Sequence, residues 1–397
     1  MFVLALASWH GTGGEVRYKV VAIHPPPGVD AYSVGALGIN DSGEVVGEYG
    51  YYINPVGMVL LRAFRFSEAS GTVDLDLPRH WVTTAVGINN AGQIALYAGH
   101  GRPVTFEAYR FTPGAGYEPL GDLGGDEAET GAINGVGQVT GFSLGPDDRA
   151  HAYRYSDGSG MENIGGSFAV SRGFAINDQG WVAGYADGYA FLYRNEEEVV
   201  NIGPGRAYGM NNKGSVAGVS WDTYFDQGFV YREGKVTLVG PSPYTTILID
   251  INNYDIAVGV GAHEDNRWTG LIWTEAEGLM RLNSFIPADS GWWLTTAAAI
   301  NDKGQIVGQG VFGGKVLAYR LDPIEPKLNI ERVDTNAVIS WTPAWGGAVL
   351  ESTDDLSAPD WQPITAGSTN RVVMPLEGSS RFFRLNLDAL RGLCCAP

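Results

Sequence analysis

The sequence predicts an all-β protein: a seven-bladed β-propeller closed by the N-terminal strand, followed by a small β-sandwich domain. Three observations predict it. The stretch GINDSGEVVGEYG, Gly38 to Gly50, is the first of seven drifting copies that precede residue 322. Successive copies lie 34 to 49 residues apart, the span of a four-stranded blade. Helical periodicity is nearly absent, while short apolar runs alternate with turn signals rich in glycine.

Each copy has four parts. The first is a short strand ending in Ile-Asn: Ile39-Asn40, Ile88-Asn89, Ile133-Asn134, Ile176-Asn177, Ile251-Asn252 and Ile300-Asn301, with Met210-Asn211 the variant. Two residues and a glycine follow. Asn bonds its own backbone and Gly supplies a positive φ, which closes a hairpin. Gly43, Gly92, Gly137, Gly180, Gly214 and Gly304 hold that place, and Asp255 replaces it once. The second strand reads VVG, VTG, VAG or IVG, apolar and small, as a strand covered on both faces should. The third pairs a small residue with an aromatic, such as Ala63-Phe64, Ala152-Tyr153 and Ala318-Tyr319. The fourth is a short apolar run such as Val199 to Ile202.

The seventh copy has only three strands, and Tyr18 to Ile23 is a strand with nothing upstream. Joining the two would close the ring and leave no exposed edge. The expected organisation is a leader or truncated signal peptide over 1–16, the propeller over 17–322, a stiff linker over 323–326, a sandwich over 327–387 and a tail over 388–397. Trp341 and Trp361 are the expected core of the sandwich.

These residues resemble a known family. The small-aromatic strand, the Ile-Asn-x-x-Gly-x-Val-x-Gly hairpin and LGDLGG at Leu120 to Gly125 are similar to the HAF repeats of bacterial extracellular proteins. The resemblance covers residues 17 to 322 and implies secretion or exposure at the bacterial cell surface. It carries no catalytic residues with it. The chain departs from the pattern in placing Arg65, Arg110, Arg154 and Arg320 on the third strand and in keeping the leading histidine only at His151. The C-terminal stretch, ending on Phe382-Phe383-Arg384-Leu385, is similar to fibronectin type III-like modules of secreted bacterial proteins.

A net charge of −18 with a pI near 4.7 argues against a nucleic-acid partner, which would need a basic stripe. No apolar run is long enough for a membrane helix. The only cysteines, Cys394 and Cys395, are adjacent, so no disulfide framework is expected. Hydrolase, metalloprotease and phosphate-loop motifs are absent. The repeated Asn turns and aromatic stripe are what folding a blade requires.

Function is therefore expected where the repeats diverge, in the loops opposite the Asn turns. These carry the candidate ligand-binding residues His80, Trp81, Trp221, Tyr224, Phe225, Trp268, Trp292 and Trp293, together with Tyr49, Tyr51, Tyr52, His100 and His263. Trp and Tyr suit sugar rings or protein partners. No catalytic residue, resident cofactor or metal ligand is expected. Calcium on Asp147-Asp148 or Glu264-Asp265 is the cation considered, and His80, His100 and His263 lack the spacing of a transition-metal site. The reading is a monomeric, secreted or cell-surface module binding a protein or glycan, without catalysis. The alternatives are a polysaccharide-acting enzyme with carboxylates at the channel mouth, or a purely structural matrix protein.

Overall fold

The computed structural model describes residues 16–53, 58–75, 77, 80–101, 104–195, 198–221, 226–240, 245–262, 267–343, 349–364, 370–375 and 381–386, without the side chains of 53, 58 and 59. The expected leader and tail lie almost wholly outside them. Among the described residues the chain is all-β with a single 3-10 turn, Leu282–Ser284.

The Asn turns form as the sequence dictates. Asn40 Oδ1 accepts from the backbone N–H of Ser42 and Glu44, both at 3.0 Å. Gly43 sits at φ +75° and Asp255, in the same role, at +60°. The amide end of the side chain does something the repeat does not announce. Asn40 Nδ2 donates to the carbonyl of Asn89, in the next copy. Asn89, Asn134, Asn177, Asn211 and Asn252 repeat the gesture onto the copy that follows, and Asn301 donates to Asn40, at 2.8 to 3.4 Å throughout. Seven turns thus meet in one circle of hydrogen bonds.

A second contact recurs further out. Arg110 Nη1 donates to Gly137 O at 2.7 Å, Arg154 to Gly180 O at 3.2 Å and Arg320 to Gly43 O at 2.9 Å. Arg110, Arg154 and Arg320 therefore bind the turn of the next copy, which gives the third-strand arginine a structural purpose.

The sheets correct the expectation of a seven-bladed β-propeller closed by the N-terminal strand. Tyr18–Ile23 does pair antiparallel with Lys315–Pro323. Yet the sheet it joins is not closed. Ser33 bridges in parallel to Val316, so this sheet runs on into the first copy and becomes eight-stranded. The fourth and fifth copies likewise share a seven-stranded sheet. There a single strand, Glu198–Met210, replaces an expected loop. Gly203 at φ +139° and Gly205 at +145° let it turn without breaking, and a Cβ on Gly205 would lie 2.0 Å from Val219 O. Only the second, third and sixth copies form separate four-stranded sheets. The repeat region is thus five sheets, none closed.

In every copy the innermost strand carries a bulge, as between Ala36 and Gly38 or between Ala207 and Gly209. The bulge drives a carbonyl across the glycine of the facing strand. A Cβ at Gly47, Gly141, Gly184, Gly218, Gly259 or Gly308 would lie 1.9 to 2.1 Å from that oxygen. This is why the second strand has glycine as its third residue in six of the copies, with Leu96 the exception. Between copies, apolar clusters fill the gaps, the largest joining Tyr18, Tyr319, Leu321, Ile272 and Leu294.

Residues 327–386 form two three-stranded sheets, Lys327–Val333, Asn336–Thr342 and Arg371–Pro375 against Gln362–Pro363, Val349–Thr353 and Phe382–Asn386. Ile339, Trp341 and Leu350 are their shared core. Trp361 is not in it. It is half-buried under the guanidinium of Arg384, 4.4 Å from the ring centre.

Candidate functional site

Converging innermost strands leave an axial channel. Its deeper part is a cavity of about 350 Å³, walled by bulge residues including Leu37, Phe174, Tyr208 and Ile249. Toward the Asn turns it opens through about 220 Å³ lined by Ile39, Ile88, Asn89 and Asn301, with Asp41, Asp178 and Asp302 at the rim. The rim carboxylates are engaged, Asp302 N–H donating to Asp41 and Asn212 to Asp178. One carboxylate interrupts the apolar wall. Asp250 stands where other copies have Gly or Ala, and accepts from Ile251 N–H at 2.8 Å and Ile300 N–H at 2.9 Å. Burial pushes it up to about 6, against those two donors, and nearby Asp302 adds to the rise.

At the other end of the channel the repeats stop being alike. One register position, two residues before the bulge, holds Gly35, Thr84, Glu129, Arg172 and Arg206 in the first five copies. Their cross-strand partners are Glu48, Tyr97, Phe142, Tyr185 and Val219. Together they make a belt in which Thr84, Phe142 and Val219 are buried and the others half-buried. Thr84 Oγ1 donates to Glu48 at 2.7 Å. Burial raises Glu48, opposed by that hydroxyl. Burial also raises Glu129, with Glu127 adding and Arg172 opposing. Tyr97 feels both carboxylates and is raised, mainly by burial.

Arginine takes over further round. Arg172 lies 3.9 Å from the ring centre of Phe142. Arg206 lies 5.3 Å from that of Tyr185 and 5.4 Å from that of Trp221. Its Nη1 reaches the hydroxyl of Tyr208 on the channel wall at 3.5 Å, and its buried Nε has no partner. Among the described residues neither arginine has a carboxylate at ion-pair distance, whereas Arg65, Arg110, Arg154 and Arg320 all do.

The sequence-expected residues do not form one site. Trp221 joins the belt and is exposed. Trp268 and Trp293 form a separate patch, Trp293 Nε1 donating to Trp268 O at 3.0 Å and Arg267 stacking on Trp293 at 3.8 Å. Trp292 is turned inward, stacked on Phe312 and edge-on to Tyr319. That placement makes it core. Tyr49 is also buried, donating to Asp74 at 2.5 Å. Trp81 is exposed, its N–H on Gly99 O. His80 stands against His100, with rings 5.6 Å apart, and against Glu107. Asp147 is taken up by His151 at 3.0 Å. Tyr224, Phe225, His263, Glu264 and Asp265 lie outside the described residues. Sequence reasoning missed Glu48, Glu129, Arg172 and Arg206. Aligning the copies on their Asn turns would have shown charge at one strand position, the only signal available.

No family model matches the chain, and no curated protein does. Solved structures resemble it in fold. The acylaminoacyl peptidase of Pyrococcus horikoshii aligns with 80% of this chain at 9% identity and a TM-score of 0.51. The chain spans 58% of that protein's length. The β-propeller domain of the Trilobed protease from Pyrococcus furiosus aligns over 79% of this chain and 91% of its own, at 11% identity and TM-score 0.36. A gluconolactonase from Xanthomonas campestris aligns over 80% and 99%, at 10% identity and TM-score 0.33. The first match places the chain in the propeller-like, all-β class. At such identity the likeness is one of fold alone.

Proposed function

We propose that the chain is a binding module that holds a carboxylate-bearing glycan on the belt at the loop end of its channel. The carrying observation is Arg206, laid over both Tyr185 and Trp221 with no acidic partner among the described residues. In a chain of net charge −18 an arginine without a carboxylate stands out. Stacking fixes the guanidinium plane and leaves its edge for a planar anion, while Trp221 offers a face to a sugar ring. The HAF-repeat resemblance supports a secreted or bacterial cell-surface setting. Screening the purified chain on acidic and neutral glycans tests this. Acidic ligands should bind, and Arg206→Ala and Trp221→Ala should each weaken binding at least about tenfold, with Trp268→Ala neutral. Failure of every acidic glycan to bind, or unchanged binding by Arg206→Ala, overturns it.

One observation favours a second reading, an enzyme acting on polysaccharide. Glu48 and Glu129 both act on Tyr97, and burial raises both carboxyls, the direction a general acid requires. If so, Glu129→Gln should retain the glycan but abolish release of new reducing ends.

A further inference from the structure

We propose that His80, His100 and Glu107 bind a divalent transition metal ion, Zn²⁺ foremost, at a site separate from the belt. Three neighbouring segments bring them together. His100 ends the strand Ile94–His100, and Glu107 lies on the facing strand, opposite Ala98. His80 precedes the strand Val82–Ile88 and is held alongside by the bond from Trp81 N–H to Gly99 O at 2.9 Å.

Their ligand atoms lie within 4.8 Å of one another, the one such grouping of three among the described residues. His80 Nε2 is 3.5 Å from Glu107 Oε2, and His100 Nδ1 is 3.9 Å from Glu107 Oε1. Bonds of about 2.1 Å in tetrahedral array place ligand atoms about 3.4 Å apart, so the three groups need to draw together by about 1.4 Å at most to close on an ion. His100 Nδ1 is buried without a hydrogen-bond partner. An ion at the centre would satisfy it. Tyr109 donates to Glu107 Oε2 at 2.5 Å and packs edge-on against His80, the kind of outer support that orients metal ligands.

His100 and Glu107 also line a cleft of about 490 Å³ whose wall carries Asp122, Asp126 and Glu127. Their negative field attracts a cation, and the cleft gives a fourth coordination position access to water or ligand. Two imidazoles select a transition ion over calcium or magnesium.

The test is titration of the full chain with Zn²⁺ by calorimetry and with Co²⁺ by visible absorption. Cys394→Ser and Cys395→Ser form the background, so that no thiolate competes. One equivalent should bind, with the Co²⁺ spectrum of a nitrogen- and oxygen-ligated site. His100→Ala and Glu107→Gln should each weaken binding by at least about a hundredfold and Tyr109→Phe by about tenfold, while His151→Ala changes nothing. Thermal unfolding of each variant without metal checks its fold. Absence of stoichiometric binding by the parent, or undiminished binding by a folded His100→Ala, overturns the proposal.

Discussion

Asn301 donates its side-chain amide to the carbonyl of Asn40, 261 residues earlier, at 2.9 Å. The same side chain accepts from Lys303 and Gln305 N–H within its own turn. One residue type therefore shapes each hairpin and links it to the next. Where the last copy meets the first, the link spans nearly the whole repeat region.

Two substitutions separate these tasks. Asn301→Ala removes both and should cost about 2–3 kcal/mol. Asn301→Asp keeps the acceptor but loses the donor, and should cost about 1–2 kcal/mol. Urea unfolding reads both. An Asn301→Asp chain as stable as its parent would show that the link to Asn40 contributes nothing.

Arg320 joins the same two copies. It is buried, binds Gly43 O, and holds Asp322 at 2.7 Å and Glu68 at 2.5 Å. Arg320→Ala should lower stability by about 1–3 kcal/mol, because the buried side chain's packing and its charged hydrogen bonds to Gly43 O and Asp322 are lost. Arg320→Lys should recover only part, since an ammonium cannot span three acceptors in one plane. A thermal melt of the three proteins gives the order.

Gly218 has no room for a methyl group. Its Cβ would lie 2.1 Å from the Arg206 carbonyl, whereas Gly234 has open space around it. Gly218→Ala should cost about 3 kcal/mol or more and disturb the belt. Gly234→Ala meets only the penalty of its positive φ, about 1 kcal/mol. Equal denaturation midpoints would contradict the account of the second-strand glycines.

Asp250 should give stability a pH dependence of definite sign. Its folded-state value, about 6, lies above the ordinary 3.8, so the folded chain holds the proton more tightly. Its contribution is best below pH 3.8, falls as pH rises from about 4 to 6, and is flat above. The whole loss is about 3 kcal/mol, most of it between pH 4 and 7. Burial raises Glu48 and Glu129 too, which adds in the same sense. Replacing Asp250 with Asn should therefore help more at pH 7 than at pH 4 by roughly that amount. Urea midpoints at the two pH values check it.

The sequence by itself determined the all-β class, the seven hairpins and their turn chemistry. Asx turns, positive-φ glycines and apolar runs act over a few residues, so each copy carries its own instructions. It also placed Trp341 in the C-terminal core. It did not distinguish Trp292, packed on Phe312, from Trp221, exposed beside Arg206, because both read as loop aromatics. Only tertiary structure decided which sheets merge, since the Ser33–Val316 bridge joins residues from opposite ends of the repeat region. Tertiary structure likewise assembled the belt and brought Glu107 to His80 and His100. The belt charges come from strands of different copies, and the two histidines and Glu107 from three neighbouring segments of one copy; no fixed spacing along the chain encodes either meeting.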